Sequence, residues 1–348
     1  MMILILMSSC NTTRYLEKDQ SLLKKTKIIF KNEKIIKDKK SLESDLNSFI
    51  DQKPNEKLLF FIPKEWLFLA NSKPEDDKWY KKGLRGLGDP PVIFSEEASK
   101  TIAGNMENYL KFKKGYYEAK VDFIVDEKRS VRGWTNSDGN DVWESNISEV
   151  TYIVSQGERF KVKSVSYEST DSKLLDFIKS IEQDAFVKKG DYIDFSQFEL
   201  EKSRLTVELQ NHGYANFANN YIEISGDSSR INKEVDIFFL FRTPLPDTTH
   251  TKFITGEVKV YTDYFKDQLV DSLYSDTIQT VQYYRQSAAY LVKPTLLSNS
   301  VFFKQGELLR RDDRQKTFRK LNSLGTYRFV TVNAKADKDR DSIMNFEI

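Results

Sequence analysis

The sequence predicts an α+β chain laid out as three tandem modules, each a three-stranded mixed sheet backed by two helices in the order β-α-α-β-β. Three observations predict it. The first is a join of helix, glycine, aromatic residue and strand that occurs three times, in KFKKGYYEAKVDFIV (Lys111–Val125), LQNHGYANFANNYIEI (Leu209–Ile224) and LNSLGTYRFVTV (Leu321–Val332). Gly115, Gly213 and Gly325 mark the joins, because glycine takes the left-handed conformation that closes a helix without a Cβ penalty. The second is an echo between SKLLDFIKSIEQDAFVKKGDYI (Ser172–Ile193) and PTLLSNSVFFKQGELL (Pro294–Leu309), each with a Leu-Leu pair and then Lys-x-Gly-acid, centred on Gly190 and Gly306. The third is composition: 24 Phe and 17 Tyr in 348 residues suit strands, and that length is natural for two or three cores.

The first module spans 21–157. Its opening strand turns Ile28 and Phe30 inward, and a helix over 39–51 carries Leu42, Leu46, Phe49 and Ile50 at helical spacing. An irregular insertion, 52–91, holds Trp66, Trp79 and several prolines, and loops this long inside a domain are often functional. A helix over 95–113 follows, with Ser95 as its N-cap and Glu96 and Glu97 in the first turn, where negative charge suits the dipole. Beyond Gly115, Tyr117, Ala119, Val121, Phe123 and Val125 alternate with polar residues, the pattern of a half-buried strand. A polar loop leads to a return strand with Val150, Tyr152 and Val154 inward.

The second module, 158–246, repeats the order: a strand over 160–167, helices over 172–183 and 196–211, a strand from Tyr214 and a return strand with Val235, Ile237, Phe239 and Phe241. The linker TPLPDTTH (Thr243–His250) marks the next boundary through its prolines. The third module, 251–348, has Val258 and Val260 on its first strand and an insertion with Tyr283, Tyr284 and Tyr290. A helix over 312–323 comes next, then a strand with Tyr327 and Phe329. Met344, Phe346 and Ile348 alternate at the end, so this module reads as truncated inside its return strand.

The chemistry-bearing residues are few. With one cysteine and two histidines, zinc sites of four cysteines, or of two cysteines and two histidines, are excluded, and no nucleophile–base pair or cofactor motif stands out. His212 reads as a structural residue at a helix C-terminus, and His250 as a solvated linker residue. GLRGLGD (Gly83–Asp89) fits neither phosphate-binding fingerprint and reads as a loop docked on the module. The run DKWYKKGLR (Asp77–Arg85) reads as a solvated part of the insertion, with contact to lipid headgroups or a partner as the other reading. A net charge of +2 gives no global field to select nucleic acid. At the start, the apolar run Met1–Met7, then Ser8, Ser9 and Cys10, matches a lipoprotein signal in which Cys10 becomes the acylated N-terminus, with residues up to 20 as tether. The alternative is a free thiol on a frayed end, since no basic residue precedes the run.

A repeated β-α-α-β-β unit behind such a cysteine resembles the POTRA arrays of the BamA/TamA superfamily of outer-membrane assembly proteins, in particular the acylated TamA-like form of Bacteroidetes. The residues that carry the resemblance are Cys10–Leu16 (CNTTRYL), Leu87–Phe94 (LGDPPVIF), Gly115–Val121 (GYYEAKV), the KKGDY and NHGYA segments, KQGEL, and Thr317–Val330. The resemblance implies a non-enzymatic protein without cofactor or metal, lipid-anchored on the periplasmic side of the outer membrane. It also implies a C-terminal membrane β-barrel, which this sequence lacks. Clients would be nascent outer-membrane β-barrel proteins, beside a possible periplasm-spanning partner subunit, and no nucleic acid. It places client binding on the edge of the second strand, here Tyr116, Tyr117, Ala119, Val121 and Phe123, then Tyr214, Phe217, Tyr221 and Ile224, with 326–332 in the third module. The alternative is a stand-alone periplasmic lipoprotein adaptor without insertion activity.

Overall fold

The computed structural model describes residues 16, 20–31, 39–59, 62–72, 78–131, 144–245, 248–263, 273–337 and 339–348. Cys10 and the tether that follows it lie outside the described residues, apart from Leu16 and Gln20. The chain forms two compact units, Met1–Phe160 and Lys161–Ile348.

The first unit runs β1 (Ser21–Phe30), α1 (Lys39–Asn47), a two-residue-stranded hairpin of β2 (Lys57–Leu58) and β3 (Ile62–Pro63), α2 (Lys64–Ala70), α3 (Trp79–Gly86), α4 (Glu96–Phe112), β4 (Lys120–Val131) and β5 (Glu144–Ser155). The sheet order is β1-β5-β4: the return strand is central, parallel to β1 and antiparallel to β4. Leu42, Leu46, Ile102, Met106 and Leu110 pack from α1 and α4 onto Val121, Val150, Tyr152 and Val154 of the sheet. Ser95 accepts from the Ala98 N–H and caps α4. The insertion is more ordered than expected. It folds as α2 and α3, and Lys24 of β1 meets the buried Glu65 of α2 at 2.6 Å. Gly88 is the close-approach point: a Cβ there would fall 2.4 Å from the Phe68 nitrogen and 2.6 Å from the Lys64 oxygen.

The second unit contains two sheets. One is built from β6 (Lys161–Ser169), α5 (Ser172–Ser180), α6 (Phe195–Asn211), β7 (Ile222–Ser229) and β8 (Glu234–Phe241), in the order β6-β8-β7 with β6 parallel and β7 antiparallel to β8. Asp171 and Asp194 cap the two helices. The other comprises β9 (Ile254–Tyr261), β10 (Tyr274–Ile278), β11 (Val281–Arg285), α7 (Pro294–Ser298), α8 (Arg311–Ser323), β12 (Asn333–Ala336) and β13 (Ile343–Glu347), in the order β10-β11-β9-β13-β12. The expected three-stranded third sheet is therefore five-stranded. The insertion with the tyrosines is a hairpin whose β11 lies parallel along β9, with Tyr283 fully buried. Met344 and Phe346 belong to β13, which pairs with β9 on one side and β12 on the other.

The second strand of each module starts later than the alternation predicts. After Gly115 the Ala119 N–H returns to the Tyr116 carbonyl (2.9 Å), and after Gly213 the Phe217 N–H returns to the Tyr214 carbonyl (2.9 Å), so a tight turn precedes each strand. In the third module 326–332 forms no strand. Tyr327, Val330 and Val332 pack on the core at spacings of three and two, while Phe329 is 80% exposed. Packing without strict alternation cannot feed a ladder, and pairing begins only at Asn333.

Candidate functional site at the strand edges

Gly115, Gly213 and Gly325 occupy equivalent places after α4, α6 and α8, with φ of 73°, 93° and 68°. The first two also perform the same second task. The Gly115 carbonyl accepts from the Phe160 N–H (3.0 Å) and the Gly213 carbonyl from the Phe253 N–H (2.8 Å). Gly190 and Gly306, with φ of 90° and 86°, each donate to a first-strand carbonyl, Val162 (2.7 Å) and Thr255 (2.8 Å). The N–H groups of those same strand residues return to Asp191 and Glu307. In the first module Val92 has the same role, accepting from the Leu23 N–H (2.9 Å), with proline in place of the glycine.

Because the return strand (β5, β8, β13) lies between the first and second strands of each module's sheet, β4, β7 and β12 are edges. Along an antiparallel edge strand alternate residues point both backbone groups at the neighbour, and the others point both outward. On β7 the Arg242 N–H bonds to the Tyr221 carbonyl, which fixes the phase: Glu223 and Ser225 face β8, and Ile222, Ile224 and Gly226 present N–H and C=O to the free side. On β12 the Asp337 N–H bonds to Ile343, so Ala334 and Ala336 face outward. On β4 the Lys31 N–H takes the Val154 carbonyl toward β1, so Val154 and its partner Val121 are not bonded to each other. Val121, Phe123 and Val125 thus face out.

That outward set is already interrupted at its first member. The Val121 N–H donates to Glu107 Oε2 of α4 at 3.1 Å, and Lys111 Nζ donates to Glu107 Oε1 at 2.5 Å. The Lys111 ammonium, with the Val121 N–H, holds the Glu107 carboxyl below the usual carboxylate range against the opposing effect of burial. Neither composition nor alternation signals this. A Glu-x-x-x-Lys pair on a helix reads as surface decoration.

Of the residues expected to form client edges, Val121, Phe123 and Ile224 lie on edge strands. Tyr116, Tyr117 and Ala119 sit in the turn before β4. Tyr117 packs edge-on against Phe160 at 4.9 Å, and Ala119 is fully buried. Tyr214 and Phe217 are core residues, and Tyr221 belongs to the turn before β7. Phe217 and Tyr221 surround His250 at 4.8 and 4.9 Å. His250 is not solvated: it is 8% exposed, its Nε2 lies 2.9 Å from the Arg242 carbonyl, and its N–H donates to Asp171 Oδ2. His212 stacks on Phe177 at 3.9 Å, and burial, with Lys252 nearby, pushes its imidazole below the ordinary value. Its place at the helix end is structural, and the neutral ring is favoured there.

Among the described residues no group of three or more His, Cys, Asp or Glu converges to hold a metal, and no helix is long and apolar enough to cross a membrane. Of the DKWYKKGLR run, Trp79 to Arg85 lie in α3, which buries none of its residues and leaves Trp79 84% exposed, while Asp77 lies outside the described residues.

No family model matches the chain, and no curated protein matches it. Solved structures do. A crystal structure of BamA POTRA3-5 from Haemophilus influenzae is 10% identical, covers 96% of this chain and 98% of its own, and has a TM-score of 0.39. POTRA1-3 of the periplasmic domain of Omp85 from Anabaena is 11% identical with 95% of both chains covered and a TM-score of 0.26. The N-terminal domain of Omp85 from Thermosynechococcus elongatus is 9% identical, covering 95% and 98%, at a TM-score of 0.28. At this level of agreement the weight rests on the chain's own sheets and edges.

Proposed function

We propose that this chain is the periplasmic portion of an outer-membrane protein assembly or translocation factor, organised as modules over 21–157, 158–246 and 251–348. It takes up extended segments of unfolded barrel proteins, or of a partner subunit, by adding them to its strand edges. Acylated Cys10 tethers it to the outer membrane. One observation carries the reading: in the sheet of each of the three modules the strand before the return strand (β4, β7, β12) lies at an edge with alternate backbone groups facing outward. Backbone pairing is indifferent to side-chain identity, which suits many clients that share only an extended conformation. No covalent bond is made or broken in this process, and the work is exchange of hydrogen bonds between edge, client and water.

The test is Ile224→Pro and Val125→Pro, each of which removes an outward donor and leaves the ladder bonds intact. Ile224→Ala keeps the donor and controls for the lost side chain. Crosslinking to a urea-unfolded barrel protein falls about tenfold in the proline variants, equivalent to about 1.4 kcal/mol, and little in the alanine variant. Equal crosslinking in all three contradicts the reading.

A further inference from the structure

The second unit contains a hollow of about 780 Å³ between the end of α6 and the third sheet. Four arginines line it, Arg310, Arg311, Arg314 and Arg319, and no aspartate or glutamate does. Arg311, Arg314, Gln315, Phe318 and Arg319 are linked by the three- and four-residue spacings that put side chains on one face of a helix. The opposite requirement of α8, burial, is met by Thr317 and Leu321. None of the four arginines comes within ion-pair distance of a described carboxylate, but Asp313 feels the Arg310 charge, and the Gln315 carbonyl, with its amide turned, accepts from Arg311 (3.2 Å). Arg314 donates to the Val332 carbonyl (3.0 Å), which fixes one guanidinium at the start of the free edge. Phe318, Met344 and Phe346 supply an apolar floor.

Asp313 offsets Arg310 alone among the four, so the charges of Arg311, Arg314 and Arg319 favour an anion in the concavity, and guanidinium is the cation that binds carboxylates in a planar, two-bond geometry. The hollow adjoins a free edge. Ala334 lines it and also turns its own N–H and C=O outward, and Arg314 holds the carbonyl two residues before it. A strand paired to β12 places every second side chain on the face of the sheet that carries Ala334 and Phe346, because side chains alternate across a strand.

We propose that this hollow selects extended polypeptide that carries acidic side chains at alternate positions: the backbone pairs with Ala334 and Ala336 while the carboxylates enter the arginine cluster. The assignment rests on the edge-pairing reading for β12 and adds a charge preference to it. Polypeptide is favoured over a free anion or a lipid headgroup because only a backbone uses the outward groups of β12.

The experiment measures binding of fluorescent peptides to the full chain by anisotropy, using alternating Val-Glu, Val-Gln and Val-Lys sequences, and adds phosphatidylglycerol vesicles as competitor. The Val-Glu peptide binds at least about tenfold more tightly than Val-Gln, and the preference shrinks as salt rises. The double variant Arg311→Glu/Arg319→Glu, checked for an unchanged circular dichroism melt, reverses the preference toward Val-Lys. Ala336→Pro weakens all peptides alike. Loss of binding in Ala336→Pro with no effect of the arginine changes keeps the edge and overturns the charge selection. Loss in the arginine variant with none in Ala336→Pro, or displacement of the peptide by vesicles alone, overturns the assignment to polypeptide.

Discussion

Two glutamates on the long second helices of the first two modules show how one residue type serves opposite ends. Glu107 of α4 reaches outward to the edge of β4 and occupies its first free N–H. Glu201 of α6 reaches inward: it is fully buried, forks onto Arg204 at 2.6 and 2.9 Å, and accepts from the Phe186 N–H at 2.9 Å. The Tyr167 hydroxyl also lies 3.4 Å from it, and burial together with the Glu201 charge pushes that phenol well above its ordinary range. Glu201 therefore holds the second module together, while Glu107 limits what the first module can bind. The edge of β7, with no equivalent carboxylate bonded to its strand among the described residues, is the more open of the two.

The largest break in this comparison is Arg204→Ala. It leaves a buried carboxylate with two neutral partners only, and loss of one member of a buried ion pair costs about 3 to 5 kcal/mol. Urea unfolding of the second unit reports it as a lower midpoint. Glu107→Ala, partly exposed, costs under about 1 kcal/mol and shows little in the same measurement. Its effect lies elsewhere: client crosslinking at β4 rises toward that at β7.

Two of the cap glycines give a finer comparison. Gly213→Ala combines a positive φ with a Cβ 3.0 Å from Leu308 Cδ2, whereas Gly325→Ala has the same backbone problem and open space. The backbone alone costs about 1 to 2 kcal/mol, so both variants melt lower and Gly213→Ala melts lowest.

The smallest effects are in pH. Glu107 has a lowered pKa in the fold, so what it adds is complete above the unfolded carboxylate value and fades as pH falls through its folded value. Client binding at β4 rises over that acid range and loses this dependence in Glu107→Gln. His212 is a base whose folded pKa is also lowered, so its stacking on Phe177 is favoured when neutral and weakens as pH drops below the ordinary imidazole range. The melting temperature of His212→Phe lacks that step.

Repetition made the fold legible. The positive-φ glycines and the Lys-x-Gly-acid turns are backbone requirements that only a few residue types meet, so they show in sequence wherever the module recurs. The order of elements and the inward residues Val235, Ile237, Phe239 and Phe241 followed from alternation. The errors have a common cause. Tyr117 and Phe329 continue an apolar alternation into segments that form no ladder: Tyr117 sits in a turn against Phe160, and Phe329 stays exposed while Tyr327 and Val330 pack on the core. The β10–β11 hairpin and helices α2 and α3 lie in insertions without a repeat to compare. The phase of each edge, and so which amides are free, depends on inter-strand bonds that leave no mark in the sequence. The arginine hollow is half visible, since the helical stripe in RRDDRQKTFRK can be read, but the part played by Gln210 and Ala334 cannot.

Hydrogen exchange of the full chain with and without an unfolded barrel segment tests the central claim most directly. The outward amides of Ile224 and Gly226 on β7 and of Ala334 and Ala336 on β12 should gain protection, while Val121, already bonded to Glu107, changes little. Protection that appears instead on the helices, with these edge amides unchanged, would contradict it.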